Sequence, residues 1–317
     1  MNYAVMNGTG SYLPERQLTN TELETQIDTS DEWIFSRTGI KSRHVASAHE
    51  TTSFMASEAA KKALAASGLA HDDIDMILVA TCTPDHFFPS VACHVQCALQ
   101  MTRTIPAFDV SAACSGFIYA MDIAKQYITT GAVQHILVIG SESMSRAVDW
   151  SDRATCVLFG DGAGAVVLSS STEQGIIGSV IHAQHDEKKL LVYANDAEAV
   201  KRPLIEMRGN EVFKLAVNIM GDIVDEILAA SDLQKTDINW LIPHQANIRM
   251  IQAIAKKLSL PMSRVIVTIE HQGNTSAASI PLAIDHSIRI NQIKRGDLLL
   301  LESFGGGITW GAMVIRY

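Results

Sequence analysis

Two parts of the chain repeat one another at a long, constant spacing. Ser67 aligns with Ser231 and Asp73 with Asp237, both at an offset of 164 residues and in similar apolar surroundings. Further on, residues 164–168 match 311–315 at an offset of 147, so the first copy carries extra residues, most simply within 141–155. Solenoid repeats are only about 20–50 residues long, so this period indicates a duplicated domain. The chain is therefore expected to fold as two related halves.

Each half alternates short apolar runs with helix-like segments. The run at 76–81 is continuously apolar, as expected for a strand buried on both faces. Thr51 precedes and Gly68 follows an alanine-rich segment, which marks the two ends of a helix. This alternation predicts an α/β fold with mostly parallel sheets flanked by helices. The polar stretch at 169–175 is the natural junction, which gives halves of 1–171 and 172–317.

Composition and charge exclude several classes of protein. The 317 residues are 47% hydrophobic and 19% charged, which is typical of a folded enzyme and too apolar for disorder. The net charge of −9 argues against general nucleic-acid binding. No apolar run approaches the ~20 residues of a membrane span, and the first residues do not resemble a secretory leader. We therefore expect a cytoplasmic protein that binds neither nucleic acid nor membrane.

The cysteines indicate a reducing compartment. There are five, an odd number without the spacing of a disulfide framework. Cys93 and Cys97 flank His94, but two thiols and one imidazole without a second cluster form a weak metal motif. A half-buried helix face explains this spacing better, so we expect no metal.

One cysteine lies where a strand gives way to a helix. An apolar run from Ile105 predicts a short strand and a helical pattern begins at Gly116, so Cys114 is placed at a helix N-terminus. The free backbone N–H groups and the helix dipole there favour a thiolate. From this stretch alone two interpretations stay open, because Cys114 could be a nucleophile or a small buried side chain.

The second half supplies two further candidates. His244 follows the apolar run 240–243, and Asn274 follows the run 265–269, which predicts another strand. Open α/β sheets bind ligands outside the carboxyl ends of their strands, so Cys114, His244 and Asn274 are expected to converge at the junction of the halves. Taken alone, His244 and Asn274 each have an ordinary explanation. Many histidines have only a structural role, and the dipeptide Gly-Asn is common in turns.

Taken together, these motifs resemble those of a known family. Residues 109–117, 243–247 and 273–279 are similar to the three active-site motifs of the β-ketoacyl-acyl-carrier-protein synthase III family. The resemblance implies a thiolase-like fold of two duplicated αβαβα halves in five layers. It also implies condensation of a short acyl-CoA primer with malonyl-acyl-carrier protein, which initiates fatty-acid synthesis, and it implies a homodimer. Further similar stretches lie at 8–14, 29–34, 37–40, 159–164 and 305–307.

The resemblance also implies a role for each motif. Cys114 would take the acyl group, and the N–H groups of Cys114 and Gly306 would hold the oxyanion. His244 and Asn274 would donate hydrogen bonds to the thioester carbonyl of the malonyl group. Decarboxylation generates the carbanion, so neither a carboxylate base nor a cofactor is expected.

Further positions match the family's substrate contacts. Trp33 and Arg153 match a pair that sandwiches the CoA adenine, and Arg37 matches a residue near its phosphates. Phe88 matches a residue that reaches across the dimer into the partner's acyl pocket. The exposed basic face of a helix over 246–258 is a candidate dock for an acidic carrier protein. The expected tunnel residues are Asn210, Phe213 and Asn247, Phe304 is a further expected substrate contact, and the expected docking residues are Lys214, Arg249, Lys256 and Lys257.

Several alternatives stay open at this point. A thiolase needs a second reactive cysteine in the C-terminal half, and the last cysteine here is Cys156, so that function is excluded. A polyketide-type or quinolone-type condensing enzyme with a different primer is the main alternative, followed by a non-catalytic acyl-thioester binding protein. A redox-sensor thiol lacks a resolving cysteine at CxxC spacing. The segment 182–191 departs from the family pattern, which leaves primer length open.

Overall fold

The computed structural model describes residues 2–193 and 204–317. Within them, the strands are β1 (Tyr3–Tyr12), β2 (Gln17–Thr19), β3 (Ser42–His44), β4 (Met76–Ala80), β5 (Ala107–Val110), β6 (His135–Ser143), β7 (Asp161–Ser171), β8 (Ile176–Ala183), β9 (Leu191–Tyr193), β10 (Ile205–Met207), β11 (Trp240–Pro243), β12 (Leu298–Gly305) and β13 (Thr309–Arg316). The α-helices are α1 (Asn20–Glu24), α2 (Asp31–Thr38), α3 (Thr52–Ser67), α4 (Val91–Ala98), α5 (Gly116–Thr129), α6 (Gly209–Ala230), α7 (Ile248–Lys257), α8 (Ile269–Gln272) and α9 (Ser279–Arg289).

Two large sheets have equivalent strand orders. The first is β1-β7-β6-β4-β5 and the second is β8-β13-β12-β11, so four strands correspond in order and in direction. The duplicated architecture expected from the sequence is therefore confirmed. The last strand of the first sheet along the chain ends at Ser171 and the second sheet begins at Ile176, so the link 172–175 falls within the stretch 169–175 that the sequence suggested as the junction.

The expectation of mostly parallel sheets is wrong. Across the two sheets three neighbouring pairs are parallel and four are antiparallel. In the second half the reason is the connection: residues 306–308 alone join β12 to β13, and so short a link can form only an antiparallel hairpin. The corresponding β6 and β7 are joined by 144–160, which is where the sequence offset changes.

Helices form three layers that alternate with the two sheets. α5 and α9 lie between the sheets, α3 and α4 cover the outer face of the first, and α6 and α7 cover the outer face of the second. Side chains along β4 alternate accordingly, since Leu78 faces the central layer and Ile77 and Val79 face α3 and α4. Burial on both faces explains the unbroken apolar runs, and the five layers match the expected thiolase-like architecture.

Local signals define the helix ends as the sequence predicted. The Ser30 hydroxyl caps α2 by accepting the Trp33 N–H, and Thr51 caps α3 in the same way. Gly39 and Gly68 end these helices in the left-handed conformation that glycine adopts without steric cost. The described helices include none of the length and apolar character needed to cross a membrane.

The strand predicted over 265–269 does not form. Val265 makes one isolated parallel bridge to Leu241, and helix α8 already begins at Ile269. The Thr268 N–H is donated to the side-chain oxygen of Gln245 rather than to a neighbouring strand, so the chain turns away from the sheet. The residue pattern of an apolar run does not show whether its backbone N–H groups will bond a neighbouring strand or a side chain, so the pattern alone predicted a strand here.

Candidate active site

Cys114 lies in a tight turn between β5 and α5. A 3-10 turn spans Ala113–Ser115, and Ala113 has a positive φ of 46°. This is a sparsely populated conformation for a residue with a side chain, and such strain clusters at functional sites. α5 begins at Gly116, so Cys114 lies at the helix N-terminus as predicted, with 8% of its surface exposed.

The hairpin of β12 and β13 holds this turn from the second half. Ser303 Oγ donates to the Cys114 carbonyl oxygen at 2.8 Å. Thr309 Oγ1 donates to the Ala112 carbonyl oxygen at 3.0 Å. A Cβ atom on Gly305 would lie 2.8 Å from the Cys114 nitrogen, so only glycine allows β12 to approach this closely. Both halves of the chain therefore position the candidate nucleophile.

Burial determines the protonation state of the thiol. Burial raises the pKa of Cys114 to about 12. The sequence predicts that the helix N-terminus favours the thiolate, and burial acts on the pKa of this thiol in the opposite direction. Cys114 is a thiol at neutral pH, so its proton must leave as sulfur attacks.

His244 directly follows β11 and is fixed at both its backbone and its ring. Its N–H donates to the Glu302 carbonyl oxygen at 2.8 Å, and its Nδ1 lies 2.7 Å from Ser279 Oγ at the start of α9. Ser279 Oγ also accepts the Gln245 N–H at 3.3 Å, which leaves its own proton to donate to Nδ1. We therefore assign the proton of the neutral ring to Nε2.

The imidazole is neutral in the folded protein. Burial lowers the pKa of His244 to about 4, because no carboxylate compensates the loss of water around a charged ring. A neutral ring with Nε2–H is a hydrogen-bond donor, which is the form that the sequence-based role requires.

Asn274 presents its amide nitrogen because its amide oxygen is already bonded. Asn274 Oδ1 accepts the Ser276 N–H at 2.9 Å, so its NH₂ group remains as a donor. The backbone of Asn274 is held by Leu158 and Gly160, with N–H to oxygen distances of 2.9 and 3.0 Å. The preceding Gly273 has a φ of 67°, which fixes the sharp entry into this segment.

Two cavities meet at Cys114. The first, of about 470 Å³, has Cys114, His244 and Asn274 in its wall. The second, of about 510 Å³, has Cys114 and Gly306 in its wall. The structure thus brings together the three residues that the sequence placed at the junction of the halves. A thioester arm in one cavity and an acyl chain in the other would both reach the sulfur atom.

The first cavity also collects the residues expected to bind CoA. The Arg153 guanidinium lies 4.7 Å from the centre of the Trp33 ring and Arg37 lies 5.5 Å from it. A ring sandwiched between two groups needs about 3.5–4.0 Å on each side, so Arg153 must move before a base can enter. The other expected contacts in this wall are Asn210, Phe213, Asn247 and Phe304.

Phe88 lies outside both cavities. It is 88% exposed, and its neighbour Phe87 is 84% exposed. A third cavity, lined by Phe88 together with Cys82 and Ser111, adjoins the second one. Within one chain Phe88 therefore closes no acyl pocket, and its predicted role requires a second copy of the protein.

The four basic residues predicted to dock a carrier protein differ in their surroundings. Arg249 is exposed and lines the first cavity, and Lys214 and Lys256 are exposed on α6 and α7. Lys257 Nζ is bonded within the chain, to the Asn218 carbonyl oxygen at 2.9 Å and to Asp222 at 3.0 Å. Arg249 is thus the one of the four that contacts the cavity itself.

Other residues of the site were not singled out from the sequence. Ser276 and Ser279 follow Asn274 in a run of small residues; Ser276 lines the second cavity, and the Ser279 hydroxyl bonds the His244 ring. Glu142 and Cys82 come from loops and strands of the first half that carry no recognisable motif. The small polar run after Asn274 was the available signal for the two serines.

The described residues contain no group of three or more side chains suited to hold a metal ion. All five cysteines are free thiols.

Comparisons with known proteins identify relatives over the full length. A family model described as 3-oxoacyl-[acyl-carrier-protein] synthase III matches residues 108–185, and a model of the C-terminal part of the same synthase matches 228–317. A beta-ketoacyl-[acyl-carrier-protein] synthase III of Thiobacillus denitrificans is 54% identical, with 100% of each chain covered.

Solved structures agree with these matches. The 3-oxoacyl-[acyl-carrier-protein] synthase III of Aquifex aeolicus superposes with a TM-score of 0.94 at 48% identity, covering 99% of this chain and 100% of that one. The priming beta-ketosynthase of the R1128 polyketide pathway superposes with a TM-score of 0.93 at 34% identity, covering 99% and 96%.

Proposed function

Since the chain belongs to the 3-oxoacyl-[acyl-carrier-protein] synthase III family, we propose that it condenses an acyl-CoA primer with malonyl-acyl-carrier protein. The product would be a 3-oxoacyl-acyl-carrier protein, and the reaction would initiate fatty-acid synthesis. One observation carries this proposal: Cys114, His244 and Asn274 lie in the wall of one cavity, and among the described residues no partner takes the Nε2–H of His244 or the amide NH₂ of Asn274.

The first half-reaction acylates Cys114. Its sulfur attacks the thioester carbonyl carbon of the acyl-CoA, the carbon–sulfur bond to CoA breaks, and CoA departs as a thiol after taking up the proton that Cys114 gives up. The N–H groups of Cys114 and Gly306 are proposed to stabilise the tetrahedral oxyanion. Gly306 supports this role because it follows Gly305, which packs against the Cys114 nitrogen, and because it lines the second cavity.

The second half-reaction forms the carbon–carbon bond. Malonyl-acyl-carrier protein loses CO₂, and the electron pair of the broken bond becomes an enolate whose oxygen is stabilised by His244 Nε2–H and the Asn274 amide. The enolate carbon then attacks the acyl group on Cys114, and the sulfur leaves. Decarboxylation supplies the carbanion, so the proposal requires no cofactor and no general base for carbon.

Several finer points belong to the same proposal. The Trp33, Arg37 and Arg153 cluster is proposed to bind the nucleotide end of CoA, and Arg249 to meet the carrier protein. A homodimer would supply Phe88 to the partner's second cavity, and its exposure is consistent with such an interface. Cytoplasmic residence follows from the same substrates.

A second candidate is a condensing enzyme that primes a polyketide pathway. The R1128 priming ketosynthase shares the fold at 34% identity over 99% of this chain, so the fold accommodates both activities. The two candidates differ in the primer rather than in the three central residues.

The decisive experiment is intact mass measurement after mixing the protein with acetyl-, butyryl-, isobutyryl-, octanoyl- and malonyl-CoA. We expect one acyl adduct on the wild type and none of comparable yield on Cys114→Ser. The preferred adduct identifies the primer class and separates the two candidates. A wild type that no thioester modifies would contradict the enzyme and favour a binding protein.

A further inference from the structure

A buried arginine lies behind the wall of the first cavity. Arg43, on β3, has no exposed surface. Its guanidinium donates hydrogen bonds to the Leu18 carbonyl oxygen at 3.1 Å, to Asn20 Oδ1 at 2.8 Å and to the Val157 carbonyl oxygen at 2.9 Å. These acceptors are neutral, and within residues 2–193 and 204–317 no carboxylate forms an ion pair with Arg43. The cation is therefore held by uncharged oxygens alone.

The charge of Arg43 is costly to bury. Burial lowers its pKa to about 10, so the guanidinium stays protonated at neutral pH. A buried charge without a charged partner costs free energy, and an apolar side chain of similar volume avoids that cost. An apolar side chain cannot supply a planar fork of donors that binds several oxygens at once. The oxygens that Arg43 holds therefore explain its place in the structure better than its charge does.

One of these oxygens belongs to the segment that holds Asn274. Val157 is followed by Leu158, whose carbonyl oxygen accepts the Asn274 N–H at 2.9 Å. The Gly160 N–H donates to the Asn274 carbonyl oxygen at 3.0 Å, and Phe159 forms a parallel bridge with Asn274. The backbone of Asn274 is thus bonded along 157–160, the same short segment that the guanidinium binds at its first residue.

The stem of Arg43 packs against both sides of this contact. A Cβ atom on Gly273 would lie 2.9 Å from Arg43 Cβ, and one on Gly160 would lie 3.1 Å from it. Such distances leave no room for a side chain at either glycine, so the backbone before Asn274 and the backbone that bonds it both lie directly on Arg43.

The other two oxygens anchor Arg43 to a fixed part of the molecule. Leu18 pairs with Arg43 in the two-stranded sheet of β2 and β3. The Asn20 amide donates to the Ile40 carbonyl oxygen at 2.6 Å and to Asp31 at 2.8 Å, at the start of α2. Arg43 therefore ties the segment 157–160, which lies outside the sheets, to this small sheet and to α2.

We propose that Arg43 is a positioning residue for condensation, which sets the place of the Asn274 amide by holding the segment 157–160. The inference rests on the proposed function, in which Asn274 stabilises the enolate. Arg43 lines neither the first nor the second cavity, so it acts through the backbone that it binds. The turn of Cys114 is held instead by Ser303 and Thr309, so the two half-reactions respond differently to loss of Arg43.

The test compares wild type, Arg43→Gln and Arg43→Lys in both half-reactions. Intact mass gives the rate of acylation by the preferred acyl-CoA, and its amplitude counts the folded sites. Formation of the 3-oxoacyl product then gives kcat per folded site and the KM for malonyl-acyl-carrier protein. We expect kcat to fall at least about tenfold in both variants, since a shift of about 1 Å in a reacting group can cost about 100-fold. The acylation rate and the KM are expected to stay at the wild-type values.

Arg43→Lys separates geometry from charge. A lysine keeps the positive charge and has no planar fork, so it cannot bind the three oxygens as Arg43 does. If only the charge mattered, Arg43→Lys would retain the wild-type kcat, and that result would overturn the proposal. A fall of less than tenfold in Arg43→Gln, or an equal fall in acylation and condensation, would also overturn it. Arg43→Lys keeps the buried charge and decides the question even if Arg43→Gln fails to fold.

Glu50→Gln is the matched control. Glu50 is 4% exposed, and its carboxylate binds Tyr12 and Ser47, which lie outside the walls of the first and second cavities. We expect this variant to keep the wild-type kcat per folded site, and a tenfold loss here would contradict a specific role for Arg43. A wild type that forms no 3-oxoacyl product would overturn the proposed function and this inference with it. An active wild type that both Arg43 variants match would overturn this inference alone.

Discussion

At the scale of single residues, hydrogen bonds made inside the protein determine what the site offers a substrate. The Ser276 N–H occupies the amide oxygen of Asn274, which leaves the NH₂ group as the free donor. Ser279 bonds Nδ1 of His244, which leaves Nε2–H as the second donor. Two donors oriented in advance can stabilise an enolate oxygen without reorganisation at the moment of reaction.

Asn274→Asp tests this assignment with a side chain of nearly the same shape. The carboxylate still accepts the Ser276 N–H, but it offers no donor and repels an enolate. We expect condensation to fall by at least about 100-fold, the cost of losing one oxyanion donor, while acylation of Cys114 proceeds. Product formation from malonyl-acyl-carrier protein and intact mass measure the two steps. Equal loss in both steps would show that Asn274 serves the turn around Cys114 instead.

At the scale of elements, α7 has two functions on opposite faces. Ile251, Ala255 and the following Leu258 are buried against the second sheet, and Arg249 lies on the exposed face at the first cavity. Lys257 is bonded to Asp222 of α6, so its charge is already paired. A partner with an acidic surface would therefore meet Arg249 more readily than Lys257.

Arg249→Glu is expected to weaken carrier-dependent condensation at least about tenfold and to spare acylation by acyl-CoA. Reversal of a charge at an interface edge repels an acidic partner and slows its association. Lys294→Glu is the control, because this exposed residue lies at the opposite, amino-terminal edge of the second sheet. The KM for malonyl-acyl-carrier protein and the acylation rate distinguish the outcomes. A parallel loss in both half-reactions would refute docking at Arg249.

At the scale of the whole molecule, five close-packed layers bury carboxyl groups as well as apolar side chains. Glu302 of β12 has no exposed surface, and within the described residues neither of its carboxyl oxygens has a hydrogen-bond partner. Burial therefore raises the pKa of Glu302 to about 8, so this carboxyl is protonated at neutral pH. The ordinary value for a glutamate is 4.5.

The pH dependence of stability follows from that difference. The folded protein keeps the Glu302 proton up to a pH of about 8, whereas the unfolded chain loses it near 4.5. The contribution of protonated Glu302 to the free energy of unfolding is fully present below pH 4.5. It then decreases by about 1.4 kcal/mol per pH unit and is lost as the pH rises through about 8. Glu302→Gln cannot titrate, so its free energy of unfolding should increasingly exceed that of wild type across this window. Urea unfolding from pH 5 to 8 measures it, and a constant difference would refute the assignment.

The amino-acid sequence alone determined the broad architecture and the central residues. The repeated segments predicted two equivalent halves, because similar periodicity of apolar residues produces similar elements wherever it occurs. The capping residues at Thr51 and Gly68 defined α3 for the same local reason. Cys114, His244 and Asn274 were identified because polar residues that follow apolar runs collect at one edge of a sheet.

Only the tertiary structure decided the state of those residues and their connections. The pKa of Cys114 and His244 depends on exclusion of water by layers far apart in sequence. The run 265–269 failed as a strand because the distant Gln245 side chain takes its backbone N–H. The hydrogen bond from Ser303 to the Cys114 carbonyl oxygen joins residues from different halves, and no local pattern encodes it. Such contacts arise from packing, which sequence periodicity does not specify.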